Sequence, residues 1–202
     1  MKFNRYNNFK LKGTIVAEPY EIGNGLLEAQ IEVPRTSGRV DTLPLVFLDN
    51  QYTPADGLKF DAFFAASGEI VSQRQADTHI AKPKGYCYSF DMNPPVNDDP
   101  LTFNSVHLKG HIVKPPTTQT IPNAETGRGD LLATKWGMLA RQRNKRIHSD
   151  MITCKCYEDL AQYATRFRRE DFISVSGRFQ SEKNEKLGVS QHHVVINHID
   201  KF

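Results

Sequence analysis

Between Met151 and Tyr157 the chain reads MITCKCY, a run whose alternation puts Met151, Thr153, Lys155 and Tyr157 on one face and Ile152, Cys154 and Cys156 on the other. A cation and an aromatic ring two residues apart fit one chemistry well. The ammonium neutralises a phosphate while the ring stacks on a base, which is how single strands of nucleic acid are held. The plain alternative is that Tyr157 covers the junction with the segment that follows. Just upstream, ARQRNKRIH places Arg141, Arg143, Lys145 and Arg146 within six residues. Each phosphate that such a cation neutralises releases counterions, although a solvated hairpin tip has the same composition. SEKNEKLG adds Lys183 and Lys186, diluted by Glu182 and Glu185. In ATKWGMLAR, Trp136 alternates with Thr134, Met138 and Ala140 and reads as core, whereas Lys135 faces the other way and joins the candidate contacts.

Other chemistry is hard to build from these residues. CKC has the spacing of one ligand pair, but no second Cys pair follows at zinc-site spacing. Small inward-facing thiols are the better reading. His192, His193 and His198 make a weak metal case. No nucleophile elbow, phosphate-binding glycine loop or paired-carboxylate arrangement occurs. The expectation is a non-enzyme with no cofactor and no metal.

The elements that must position these residues are short strands. At 202 residues, with 39% hydrophobic and 24% charged residues, the composition is that of a soluble globular protein of one large or two small domains. No apolar run approaches a membrane span, the N-terminus lacks a signal-peptide core, and three cysteines make no disulfide framework. A cytoplasmic, reduced protein away from membranes is expected. Five candidate strands fall in each half, separated by Gly, Pro, Asn and Asp clusters. One helix candidate, EDLAQYATRFRRE (Glu158 to Glu170), has Leu160, Ala161, Ala164 and Phe167 at helical spacing. NPPVNDDP reads as a linker, which divides the chain into 1–92, a linker over 93–102, and 103–202. Residues 1–102 hold 10 Lys/Arg against 13 Asp/Glu, and residues 103–202 hold 16 against 10. A basic half favours a polyanionic partner.

The halves also repeat one another. FKLKGTIV (from Phe9) and VHLKGHIV (from Val106) share Leu, Lys, Gly, Ile and Val in register, 97 residues apart. SGEIVS (from Ser67) echoes SGRFQS (from Ser176), 109 residues apart, so the second half carries a 12-residue insertion. One structural unit has been used twice. A glycine at one inward position per strand suits the tight coiling of a small closed barrel.

DMITCKCYEDLAQYATRFRREDFISVSGRFQS (Asp150 to Ser181) resembles the middle of bacterial single-stranded DNA-binding proteins, and NSVHLKGHIV is similar to their first strand. The resemblance covers most of residues 104–202. The first half carries it only in FKLKGTIV and SGEIVS. It implies an all-β chain of two tandem OB-fold barrels, each a five-stranded Greek key, with a short helix in the second. It also implies that Tyr157 sits where the family stacks an aromatic on a base, and that the partner is single-stranded DNA, with RNA possible. The family assembles four OB units, so a homodimer of this chain would supply them, with replication proteins as further partners. Members end in an acidic tail that recruits replication enzymes. VVINHIDKF instead reads as a last strand, so that role is not expected.

The first half departs from this pattern. LLEAQIEV alternates Leu27, Ala29, Ile31 and Val33 inward with Glu28, Gln30 and Glu32 outward, and outward carboxylates repel phosphate. YCYSF places Tyr86, Tyr88 and Phe90 on one face, as core, contact surface or a second stacking platform. The rival to nucleic-acid binding is an assembly module of a primosome type, with the barrels as docking surfaces.

Overall fold

A computed structural model describes residues 6–48, 58–74, 81–92, 103–122, 130–140, 151–184 and 189–202. In chain order these form β1 (Tyr6–Ile15), β2 (Tyr20–Gly23), β3 (Leu26–Pro34), β4 (Val40–Leu48), β5 (Phe63–Arg74), β6 (Ala81–Asp91), β7 (Asn104–Ile121), β8 (Leu131–Ala140), β9 (Met151–Tyr157), α1 (Glu158–Ala164), β10 (Phe172–Asn184) and β11 (Val189–Lys201). Two compact units emerge. The N-terminal unit is Asn8–Val106 with Phe179–His192, and the C-terminal unit is His107–Arg178 with Met1–Asn7 and His193–Phe202.

Strand pairing closes two five-stranded barrels of identical topology. In the first, β1 pairs antiparallel with β3 and β5, β3 with β4, and β5 with β6, while β4 and β6 run parallel. In the second, β7 pairs antiparallel with β8 and β8 with β9, β9 and β11 run parallel, and β10 lies beside both β11 and β7. This is the OB-fold, used in tandem as expected.

The two sequence repeats mark the points of closure. A Cβ on Gly110 would stand 2.1 Å from the Leu139 carbonyl oxygen, and one on its counterpart Gly13 would stand 2.6 Å from that of Glu32. At the second motif, a Cβ on Gly177 would meet the Val195 oxygen at 2.1 Å and one on Gly68 the Tyr86 oxygen at 1.8 Å. At both motifs the neighbouring backbone therefore occupies the space of a side chain.

Each barrel buries the face that alternation assigned to it: Leu108, Ile112, Ile173, Val175 and Phe179 in one repeat, and Phe64, Ala66 and Ile70 in the other. Four features differ from the sequence reading. β2 was not expected; Asn24 and Gly25, with φ of 58° and 66°, close it onto β3 as a two-residue hairpin turn. β7 continues through Lys114–Pro116 to Ile121, absorbing the prolines at two bulges against β8.

The helix expected over 158–170 ends at Ala164. Arg166 and Phe167 donate to carbonyls three residues back, and then Glu170 donates to the Ile112 carbonyl at 2.8 Å while Ile112 donates to Asp171 at 2.9 Å. Pairing with β7 outcompetes another helical turn. Phe167 still reaches the core, edge-on to Trp136.

The fourth difference is in β6, where the ladder against β5 shifts between Ser67/Ser89 and Gly68/Cys87, which leaves Tyr88 as the extra residue of a bulge. The expected Tyr86–Tyr88–Phe90 stripe is broken there. Tyr86 and Tyr88 precede the shift, and Phe90 turns inward onto Phe47 and Phe64.

A buried polar node holds part of the N-terminal unit. Asp41 accepts from both arms of Arg35 and from the Ser181 amide at 2.8 Å, and the Thr42 amide donates to Ser181 Oγ at 3.0 Å. His192 Nε2 lies 3.1 Å from the Thr42 carbonyl. Burial lowers the His192 pKa and Lys82 lowers it further, against the raising effects of the Thr42 hydrogen bond, Asp41 and Glu28. The folded chain therefore binds this proton less readily than the unfolded one. The His192 contribution to stability is complete above about pH 6.5 and falls as the pH drops below it. Urea midpoints between pH 7 and 5 should decline less for His192→Gln than for the parent.

Closure by glycine has its own test. Gly110→Ala and Gly177→Ala should each cost about 1–3 kcal/mol in urea unfolding, because the obstructing atoms are backbone. Gly137→Ala should cost less, because the nearest atom to its Cβ position is the flexible Met151 sulfur at 2.4 Å.

Candidate nucleic-acid interface

The β8–β9 ladder fixes the site. Thr134, Trp136 and Met138 oppose Cys156, Cys154 and Ile152 inside the barrel, so the outer face pairs Ala133 with Tyr157, Lys135 with Lys155, and Gly137 with Thr153. Trp136 is buried as expected. Thr134 Oγ1 donates to the Ala161 carbonyl at 2.9 Å, which ties α1 to β8. Tyr157 is the last residue of β9, extended at φ −129° immediately before the helix. Its ring is half-buried.

Lys155 is only 5% exposed, and its ammonium lies 5.2 Å from the Tyr157 ring centroid. That is a cation–π contact, which sets the ring over the strand. Lys135, directly across the ladder, is exposed. Lys135 and Lys155 thus stand opposite one another beside the Tyr157 ring. The outer face also holds Lys114 and Thr117, which the sequence reading missed. Lys114 crowds the bare Gly137 beside Met151, and Thr117 pairs with Lys135. The Lys-Pro-Pro run that bulges β7 was the available signal. Lys183 is exposed but belongs to the N-terminal unit. Arg141, Arg143, Lys145, Arg146 and Lys186 lie outside the described residues.

The N-terminal barrel has different chemistry at the same positions. LLEAQI (Leu26 to Ile31) aligns with LLATKW (Leu131 to Trp136), a third repeat that its double leucine could have revealed. Glu28 opposes Val46 where Ala133 opposes Tyr157, and Gln30 opposes Pro44 where Lys135 opposes Lys155. Ring and cations are both gone. Glu28, expected to face solvent, is instead buried and paired with Lys84 at 2.5 Å.

The three thiols are free and buried. Burial raises the Cys87 and Cys154 pKa values far above the usual range and pushes Cys156 up to about 12. Among the described residues no group of three His, Cys, Asp or Glu side chains could hold a metal ion, and no helix is long and apolar enough to cross a membrane.

Solved structures share this architecture. A deletion variant of the single-stranded DNA binding protein from Thermus aquaticus matches with a TM-score of 0.70 and 17% identity, over 98% of this chain and 95% of that one. The wild-type protein matches at 0.69 and 18%, over 98% and 94%. The fold is that of the single-stranded DNA-binding proteins. No family model and no curated protein matches the sequence. The likeness is therefore one of architecture, carried by strand topology at low identity.

Thiol inertness is directly measurable. At pH 8 the native protein should fail to react with Ellman's reagent, and all three cysteines should react once it is unfolded.

Proposed function

We propose that the chain binds single-stranded DNA without strong sequence preference, through the outer face of β7, β8 and β9 in the C-terminal unit. The observation that carries this reading is the Tyr157 ring, fixed at a strand–helix junction over Lys155 and flanked by exposed Lys135. A ring serves any base because every base has a stacking face, and the cations serve the phosphates. The basic run Arg141, Arg143, Lys145 and Arg146 follows β8 in sequence and extends the same chemistry, with Lys183 and Lys186 as further contacts. The role is one of holding or organising single strands in replication, recombination or repair, in the cytoplasm and without catalysis. Gln30, Pro44 and Val46, at the positions of Lys135, Lys155 and Tyr157, support a reading in which the C-terminal unit supplies most of the affinity. Two chains would bring four barrels together, and light scattering that finds only monomer would exclude that assembly.

Binding of oligo-dT and oligo-rU at several salt concentrations tests the reading and separates DNA from RNA. Tyr157→Ala should weaken binding by about ten- to a hundredfold and leave the salt dependence unchanged, whereas Tyr157→Phe should be near neutral. Lys135→Ala should lower the slope of log affinity against log salt by about 0.7. Lys155→Met should weaken binding in the parent but add little in the Tyr157→Ala background, because Lys155 acts through the ring. If a folded Tyr157→Ala protein binds as well as the parent, the proposed face is wrong.

A further inference from the structure

A second ring with a cation against it stands on the C-terminal barrel. Phe202 is 58% exposed, and the Lys109 ammonium lies 4.4 Å from its ring centroid. The geometry matches that of Lys155 and Tyr157, where the distance is 5.2 Å. Three strands build the support beneath Phe202. Ile173 and Val175 point into the barrel, so Phe172 at the start of β10 lies on the outer side, where it is nonetheless buried. The Phe202 ring covers it at a centroid distance of 6.1 Å, and Lys109 from β7 lies 5.9 Å from it. His111, two residues along β7, meets Phe172 edge-on at 4.8 Å, with Nδ1 3.1 Å from the Glu170 carbonyl oxygen. The Phe202 amide donates to the Phe172 carbonyl at 3.3 Å. Ring, ammonium and imidazole therefore form one connected surface.

Strand β7 joins this surface to the first. Lys114 stands against Gly137 on the β8–β9 face, and His111 and Lys109 follow on the other side of the bulge between Ile112 and Lys114. Charge favours an anion. The carboxylates that flank Phe172 and Phe202 in sequence already have basic partners: Glu170 has Arg169 at 3.5 Å, Asp171 has Lys201 at 2.7 Å, and Asp200 has His198 at 3.2 Å. Lys109, with the exposed Arg166 and Arg168 of the turn that leads into β10, adds positive charge beyond these pairs.

Resting on the single-strand reading above, we propose that Phe202 and Lys109 form a second stacking platform, and that one strand of DNA runs from Tyr157 across β7 to Phe202. A base stacks on the open side of Phe202, while Lys109, Arg166 and Arg168 meet phosphates. A unit of this size has a radius of gyration of about 13 Å, so a strand of about 16 nucleotides, the upper site size of one OB barrel, reaches both rings. The second contact is then made within one complex, which raises the affinity of long strands and not of short ones.

Titration of the full-length protein with oligo-dT of about 6 and about 16 nucleotides tests this. Tyr157→Ala should weaken both lengths. Phe202→Leu keeps an apolar cover on Phe172 but removes the ring. It should weaken the longer strand by about tenfold and leave the shorter one unchanged, whereas Phe202→Tyr should bind both as the parent does. Lys109→Met should lower the slope of log affinity against log salt by about 0.7, for the longer strand alone. Thermal unfolding confirms that each variant is folded, and octa-glutamate serves as the competing polyanion. If Phe202→Leu binds the longer strand as well as the parent, or if the Lys109→Met slope is unchanged, the proposal is overturned. Binding of octa-glutamate that Phe202→Leu abolishes, with oligo-dT affinity intact, also overturns it and makes the surface a contact for acidic peptide. Loss of binding in Tyr157→Ala but not in Phe202→Leu leaves the single-strand reading standing and removes this inference. Absence of oligo-dT binding to the parent removes both.

Discussion

Backbone closing on backbone is the constraint from which the rest follows. A five-stranded barrel has so small a circumference that its strands must coil hard, and at two points in each barrel a neighbouring carbonyl occupies the volume of a side chain. Only glycine satisfies this, and it does so at the same two places in both barrels. The two glycine motifs persist between the halves although most other positions have changed. Gly13 and Gly110 hold the first strand to its antiparallel neighbour, and Gly68 and Gly177 hold the last two strands together. With closure fixed by backbone, outward side chains are released from structural duty. They can diverge from a ring and two lysines in one barrel to tyrosines and carboxylates in the other.

This division also sets what was legible in the sequence. The repeats, the alternation and the single helix follow from closure and burial, which act through residue type and spacing, and these emerged directly. Features decided by competition between distant backbones did not. The helix loses its last turns because Glu170 and Asp171 find partners on Ile112, which helical periodicity around Leu160 and Phe167 cannot register. The Tyr86–Tyr88–Phe90 stripe presumes an unbroken ladder, and one extra residue opposite Ser67 and Gly68 reverses the alternation. β2 was legible and overlooked, since Gly-Asn-Gly before a double leucine is a strong hairpin signal.

At the candidate site, identity was legible and environment was not. Lys155 and Tyr157 stood out by type and spacing, and the structure places them in contact. That Lys155 is buried beneath the ring, while Lys135 carries the exposed charge, depends on which residue lies across the ladder. Glu28 shows the same limit with the opposite sign. It reads as a solvent-facing carboxylate that would repel phosphate, yet Lys84, 56 residues away, neutralises it.

The two outer faces therefore differ in the charged groups they carry. In the N-terminal barrel Glu28 finds Lys84 within the same unit, so the pair gains little from a charged ligand and must be desolvated if one arrives. In the C-terminal barrel Lys135 and Lys155 oppose each other across the ladder, and the Lys155 ammonium lies 5.2 Å from the centroid of the Tyr157 ring. One scaffold thus carries two outer faces of different chemistry, a carboxylate–ammonium pair on one and an ammonium beside an aromatic ring on the other.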